Sequence, residues 1–217
     1  MEGRLYIAAK PPVPGLVKTR LARTIGASSS ARLYAAFLED IAGVVRTLDV
    51  PAGWFIPPGT GWWPPALGAR QLPTRWQRGD SWGVRQSRLF SEALTGGAGP
   101  VVLMASDSPQ LVADDLEAAF TALPSCDVVL GPVLDGGYYL VGMHRPHDIL
   151  AAVEMSTGTV CADVLDRCRD LRLAATVLPA RFDVDEAPDL DLLAACDAPH
   201  LLATRAWLVG SAIGSSA

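Results

Sequence analysis

No run in this chain approaches the roughly eighteen uninterrupted apolar residues that a membrane-spanning helix needs, so no membrane span is expected. Cysteine is scarce as well. Cys126, Cys161, Cys168 and Cys196 are scattered, contain no Cys-x-x-Cys pair and make no zinc pattern. Cys161 and Cys168, seven apart on an expected helix, read as small buried side chains. Histidine is limited to His144, His147 and His200, none of them behind a nucleophile motif, which argues against Ser-His-Asp or Cys-His catalysis. An excess of positive charge is also missing. With 18 Lys and Arg against 23 Asp and Glu the net charge is −5, which excludes a general binder of nucleic-acid polymers. There is no secretory signal, so a reduced, cytoplasmic protein is expected. Half the residues are hydrophobic and only 19% are charged, which predicts a globular chain.

What is present is concentrated. Directly after the apolar run Leu5-Tyr6-Ile7-Ala8-Ala9 comes Lys10-Pro11-Pro12-Val13-Pro14-Gly15-Leu16-Val17-Lys18-Thr19-Arg20-Leu21. Three cations, a hydroxyl and a glycine sit in a loop stiffened by three prolines, each of which fixes φ near about −65°. Such a loop either cradles a multiply charged anion, phosphate first among candidates, or is a solvated connection kept wet by its charges.

Strand and helix signals alternate, the pattern of a mostly parallel α/β sheet. Strands are expected at 5–9, 54–56, 101–104, 128–130, 138–143 and 174–178. Helices are expected at 83–94, 114–123, 159–169 and 188–196. A further helix follows Ser28-Ser29-Ser30, read as N-cap candidates, with Leu33, Phe37, Ile41, Val44 and Leu48 on one face. Residues 57–78, rich in Pro and Trp, read as a long irregular excursion whose tryptophans either pack on the body or stack on a base or sugar. One domain over 1–210 is expected, with 211–217 a frayed tail.

Asp107 stands where the most apolar strand ends, before Ser108-Pro109; it either ligates Mg²⁺ or Mn²⁺ or caps the turn. Asp183 and Asp185 project to one side if their segment is extended and can supply further carboxylates, while Asp185 and Glu186 can instead cap the next helix. In Asp135-Gly136-Gly137-Tyr138-Tyr139, consecutive glycines permit close ligand approach and Asp135 can accept a hydroxyl; a hairpin turn explains the same residues.

Taken in order, Lys10-x-Pro-x-Pro-Gly-x-Val-Lys-Thr-Arg-Leu, Ser106-Asp-Ser-Pro109, Gly131-Pro-x-x-Asp-Gly-Gly-Tyr-Tyr-Leu140, Met155-Ser156-Thr157 and Asp183-Val-Asp185 resemble a bacterial glycosyltransferase-A-like family of unassigned function. That family lies within the nucleotide-diphospho-sugar transferase superfamily. The first loop is also similar to phospholactate and phosphoenolpyruvate guanylyltransferases. The resemblance implies a three-layer α/β/α Rossmann-like sandwich around a mostly parallel sheet. It implies metal ligation by Asp107 and Asp183, joined by Asp185, with Mg²⁺ or Mn²⁺ as cofactor. It implies phosphate or nucleotide contacts from Lys10, Pro14, Gly15, Lys18, Thr19 and Arg20, and from the aligned Gly83 and Arg85. Substrate contacts are expected from Asp135, Gly136, Gly137, Tyr138, Ser156 and Thr157, and catalysis from Lys18, Arg20 and Asp107. Two departures stand out: the aspartate of Gln77-Arg-Gly-Asp-Ser-Trp-Gly-Val-Arg85 is either displaced by one position, to Asp80, or replaced by Ser81, and Pro188 is shifted by one in the last motif.

The expected function is metal-dependent transfer of a nucleoside monophosphate from a nucleoside triphosphate to a small phosphorylated or acidic acceptor, with release of pyrophosphate. The alternative is a glycosyltransferase using a nucleotide-sugar donor and a small-molecule acceptor. A lesser alternative is a nucleotide-binding protein without catalysis.

Overall fold

Apolar runs that can bury both faces become the strands here. The computed structural model describes residues 3–95, 97 and 99–214. The strands are β1 (Arg4–Ala8), β2 (Ala52–Ile56), β3 (Arg75–Trp76), β4 (Val101–Ala105), β5 (Val128–Pro132), β6 (Tyr138–Met143) and β7 (Ala175–Val177). They form one sheet in the order β3-β2-β1-β4-β6-β5-β7. All neighbours run parallel except β6, which is antiparallel to both β4 and β5. Alternation divides each central strand between two cores. Leu5 and Ile7 of β1 and Val102 and Met104 of β4 face one layer; Tyr6, Ala8, Val101 and Leu103 face the other.

The first layer holds α1 (Thr19–Ile25), α2 (Ala27–Val45), α4 (Ala113–Ala122), α6 (Ala187–Ala195) and α7 (Leu202–Gly214); the second holds α3 (Trp82–Leu94) and α5 (Val160–Asp170). This is the expected α/β/α sandwich. Because α2 leads from β1 to β2 on one face and α3 leads to β4 on the other, the strand order reverses between β1 and β4. A crevice therefore opens beyond their carboxyl ends, the usual ligand position in open α/β sheets. The reversed β6 pairs Leu140 with Met104, which brings its first residue, Tyr138, to that same end.

Several expectations need correction. Ser28, Ser29 and Ser30 lie inside α2 rather than capping it; the helix starts behind Gly26, whose φ of 84° suits glycine, and Ser30 Oγ donates to the Ala27 carbonyl (3.0 Å). Leu48 is buried beyond the helix end. The basic loop ends in α1, which was not foreseen. Nor was α7, whose start is capped by buried Asp40, accepting from the amides of Ala203 (2.9 Å) and Thr204 (2.8 Å). Of the expected tail, 215–217 lie outside the described residues. The excursion at 57–78 contains the edge strand β3. The other elements fall within two residues of the expected ranges.

Candidate active site

The crevice holds a pocket of about 570 Å³, lined among others by Ala8 and Ala9 from β1, Ala105, Ser106 and Asp107 from β4, and Lys10, Lys18, Thr19 and Arg20 from the loop between β1 and α2. The loop is ordered by its own chain. Val13 donates to the Pro11 carbonyl (2.8 Å), Leu16 to the Val13 carbonyl (3.0 Å), and Val17 is buried as an anchor. Lys10 donates its backbone amide to the Tyr34 hydroxyl (3.2 Å), which lies 2.7 Å from Ser106 Oγ. Burial, then the charge of Asp107, push the Tyr34 hydroxyl up to about 12, so it stays neutral.

Lys18 is the centre of the site. It precedes α1 in the left-handed region (φ 46°, ψ 47°), a backbone state that costs a lysine roughly 1 kcal/mol or more. Only 2% of its side chain is exposed. Its ammonium is ion-paired to Asp107, lies 2.9 Å from Asp185 Oδ1, and sits 6.0 Å from the centre of the Phe37 ring. Burial acts to discharge this ammonium, but the facing charges of Asp107 and Asp185 outweigh it and hold the pKa above the lysine range. Arg20 reaches Asp185 at 3.9 Å.

The two acids meet because the 181–185 segment docks on the turn after β4. The Val184 amide donates to the Asp107 carbonyl (2.9 Å), Ser108 Oγ donates to the Phe182 carbonyl (2.9 Å), and Gln110 donates to that same carbonyl. Val184 is fully buried, while Asp183 and Asp185 are half-buried, the alternation expected of an extended segment. Asp185 does not cap α6. Asp189 does so, accepting from the amides of Asp185 (2.9 Å) and Glu186 (2.7 Å), which leaves the Asp185 carboxylate to Lys18. The shifted Pro188 falls in the first turn of α6, where proline is tolerated. Asp183 lies outside the pocket lining. Burial first, then the charges of Asp135 and Asp185, push its carboxyl up to about 6.

Trp82 and Arg85 from α3, Tyr138 from β6 and Ser156 complete the lining from the other layer. Arg85 Nε donates to the Gly79 carbonyl (2.8 Å). The buried Gln86 amide lies 2.8 Å from the Tyr138 hydroxyl, and burial raises the pKa of that phenol. Gly83 lies outside the lining and is closely packed: a Cβ there would meet the Leu150 carbonyl oxygen at 2.1 Å. The Asp135–Gly137 turn lies beside the lining. Asp135 Oδ1 accepts from the Gly137 amide (2.9 Å), and a Cβ on Gly136 would meet the Gly158 carbonyl oxygen at 1.8 Å. The hairpin thus packs closely against Gly158. Pro14, Gly15 and Thr157 are likewise outside the lining, whereas Ser156 enters it with φ 71°.

Tyr34, Gln77 and Trp82 are among the lining residues that escaped the sequence reading. Tyr34 was not among the residues expected on the apolar face of α2. Gln77 donates to the carbonyls of Phe55 (2.7 Å) and Ala9 (3.3 Å), tying the excursion's end to the end of β1. Trp82 packs on Phe55 with ring centres 6.0 Å apart.

Residues 54–157 match a family described as an uncharacterized protein conserved in bacteria (DUF2064). That stretch contains the Ser106–Pro109, Gly131–Leu140 and Met155–Thr157 motifs, so the resemblance read from them holds. Over its length the chain is similar to a candidate nucleotide-diphospho-sugar transferase of Desulfovibrio desulfuricans G20, with 27% identity, 94% of this chain and 95% of that one covered, and a TM-score of 0.83. A cytidylyltransferase of Leptospira borgpetersenii serovar Hardjo-bovis shares the fold at 9% identity, with 100% and 96% covered and a TM-score of 0.59. A CMP:2-keto-3-deoxy-manno-octonic acid synthetase solved with CTP shares it at 12% identity, with 90% and 98% covered and a TM-score of 0.52. No curated protein matches the chain. The fold is therefore that of nucleotide-dependent transferases, and no described helix is long and apolar enough to cross a membrane.

Proposed function

We propose that this protein is a divalent-metal-dependent nucleotidylyltransferase. It moves a nucleoside monophosphate from a nucleoside triphosphate to a small phosphorylated or acidic acceptor. The observation that carries this reading is the charge of the pocket: Lys10, Lys18, Arg20 and Arg85 against Asp107 and Asp185 at the strand-order reversal. A triphosphate and an acidic acceptor together bring more negative charge to such a site than a sugar diphosphate does.

Among the described residues no three His, Cys, Asp or Glu side chains gather as a ready metal set. Two carboxylates suffice for Mg²⁺ or Mn²⁺ when phosphate oxygens and water complete the shell. Asp107 and Asp185 fit that role because both already hold one cation, the Lys18 ammonium. Asp183, its carboxyl raised beside them, is a third donor once ionised. When bound, the ion neutralises charge on the phosphate oxygens.

An acceptor oxygen attacks the α-phosphorus, the bond from that phosphorus to the bridging oxygen of the β-phosphate breaks, and pyrophosphate leaves with the electron pair. Lys18 and Arg20 stabilise the charge that gathers on the leaving group. The acceptor lies against Trp82, Arg85, Tyr138 and Ser156. An acidic acceptor is already ionised at neutral pH and needs no general base, which accords with a lining free of histidine among the described residues.

The second reading is glycosyl transfer from a nucleotide-diphospho-sugar. It is favoured by the Desulfovibrio relative and by Asp183, whose carboxyl at about 6 suits a base toward an acceptor hydroxyl. Incubation with each nucleoside triphosphate, or each nucleotide-sugar, and a panel of phosphorylated acids decides between them. Acceptor-dependent pyrophosphate release is expected. Sugar transfer with release of a nucleoside diphosphate, and no pyrophosphate, would overturn the first reading.

A further inference from the structure

Lys18 serves two incompatible partners if the functional reading above is right, and the inference drawn from this rests on that reading. The ammonium that should touch the phosphates is packed, 2% exposed, against the two carboxylates that should hold the metal. We propose that Lys18 occupies the cation position until substrate arrives, so that the pocket accepts its nucleotide only as the metal chelate and has little affinity for the free ion.

Asp107 and Asp185 together carry two negative charges, and Lys18 leaves that cluster with one. A divalent cation seeking the same oxygens meets an ammonium within contact distance of them, and like charges that close repel strongly where solvent is scarce. Leaving the acids without a new partner would cost the ammonium, on a side chain only 2% exposed, both of its ion pairs. It needs another anion. Phosphate oxygens supply one, and they also supply the ligands that two carboxylates lack. Metal and polyphosphate therefore enter together, and Lys18 passes from the acids to the phosphates in the same event. The left-handed backbone at Lys18 fits this assignment: a non-glycine residue is held in a costly conformation at the point where its side chain must bridge two chain segments.

The test needs neither base nor acceptor. Mn²⁺ alone is titrated against the full-length protein by electron paramagnetic resonance, in wild type, Lys18→Met, Lys18→Arg and Lys18→Met/Asp107→Asn. Lys18→Met is expected to bind free Mn²⁺ about tenfold or more tightly than wild type, since the competing charge is gone. Lys18→Arg, which keeps the charge, should stay near wild type, and the double variant should lose the gain. A Lys18→Met protein with a native circular-dichroism spectrum and unchanged or weaker Mn²⁺ affinity would overturn the proposal. Should that variant fail to fold, wild type alone decides: water-proton relaxation with Mn²⁺ is measured with and without inorganic pyrophosphate. Tighter retention of the metal with pyrophosphate is expected; equal affinity in both overturns the proposal. These titrations involve no group transfer. Sugar transfer without pyrophosphate release would therefore sink the functional reading alone, and a flat Mn²⁺ result beside normal pyrophosphate release would sink this inference alone.

Discussion

Two proline-rich loops follow neighbouring parallel strands and end in opposite roles. The loop after β1 carries Pro11, Pro12 and Pro14, and delivers Lys10, Lys18 and Arg20 to the pocket. The loop after β2 carries Pro57, Pro58, Pro64 and Pro65 with Trp62 and Trp63, and buttresses the sheet edge. In it the Trp54 indole donates to the Pro65 carbonyl (2.8 Å), Leu67 is buried, its amide donating to Gln71 Oε1 (2.8 Å), and Trp62 packs on the core. Only at its far end, where Gln77 bonds Ala9 and Phe55, does this loop reach the pocket. Proline content gives both loops stiffness. What each does with it depends on which strand it leaves: β1 borders the strand-order reversal, β2 does not.

That contrast can be broken experimentally. If the first loop is chemistry, Lys18→Ala and Asp107→Ala should each lower turnover by about 10²–10³-fold with melting little changed, as read from steady-state pyrophosphate release. If the second loop is scaffold, Trp62→Ala should do the reverse, costing about 2 kcal/mol in urea denaturation while activity per folded molecule is kept. A finer cut falls on the acids that the first loop serves. Asp183 titrates at about 6 in the folded protein against an ordinary 3.8, so folding favours its protonated form. The stability this gives is full below about pH 4 and is lost as pH rises through 6. Metal-free Asp183→Asn should therefore match wild type at pH 4 and exceed it at pH 7 by about 1 kcal/mol, a gain held down by partial solvation of the carboxyl. Smallest of all, Trp63→Ser, at a side chain on a residue 87% exposed, should alter stability by less than about 0.5 kcal/mol and leave turnover alone.

The inner strands β1, β2, β4, β5 and β6 were legible in the sequence because they are buried on both faces and read as apolar runs, whereas the partly exposed two-residue edge strand β3 was not. Nor was the helix α7. Its Ala- and Leu-rich stretch lacks a clear polar face, and its start is fixed by Asp40, 163 positions from Ala203. The charged loop and Asp107 stood out because cations and a carboxylate at strand ends are unusual without a ligand to meet. The choice between Asp183 and Asp185 could not be made from residue types. Both point the same way, and only the docking of Val184 on Asp107, with Asp189 holding the next amides, turns Asp185 to Lys18. Tyr34 and Gln77 were hidden for a similar reason: their hydroxyl and amide have partners far away in the chain. The Asp-Gly-Gly turn admitted two readings, and the structure gives it hairpin geometry with a close approach to Gly158.

The bond from Val184 to Asp107 also has a consequence for synthesis. A ribosome that has just added Asp107 has made the basic loop and one acid, and 77 residues separate Asp107 from Asp185. Until Val184 docks, the nascent chain carries Lys18 with a single carboxylate partner and half a seat for a cation. On the function proposed above, the growing polypeptide should ignore the cellular pool of magnesium and nucleotides for most of its translation. It should begin to bind them abruptly, when its last quarter folds back on the first.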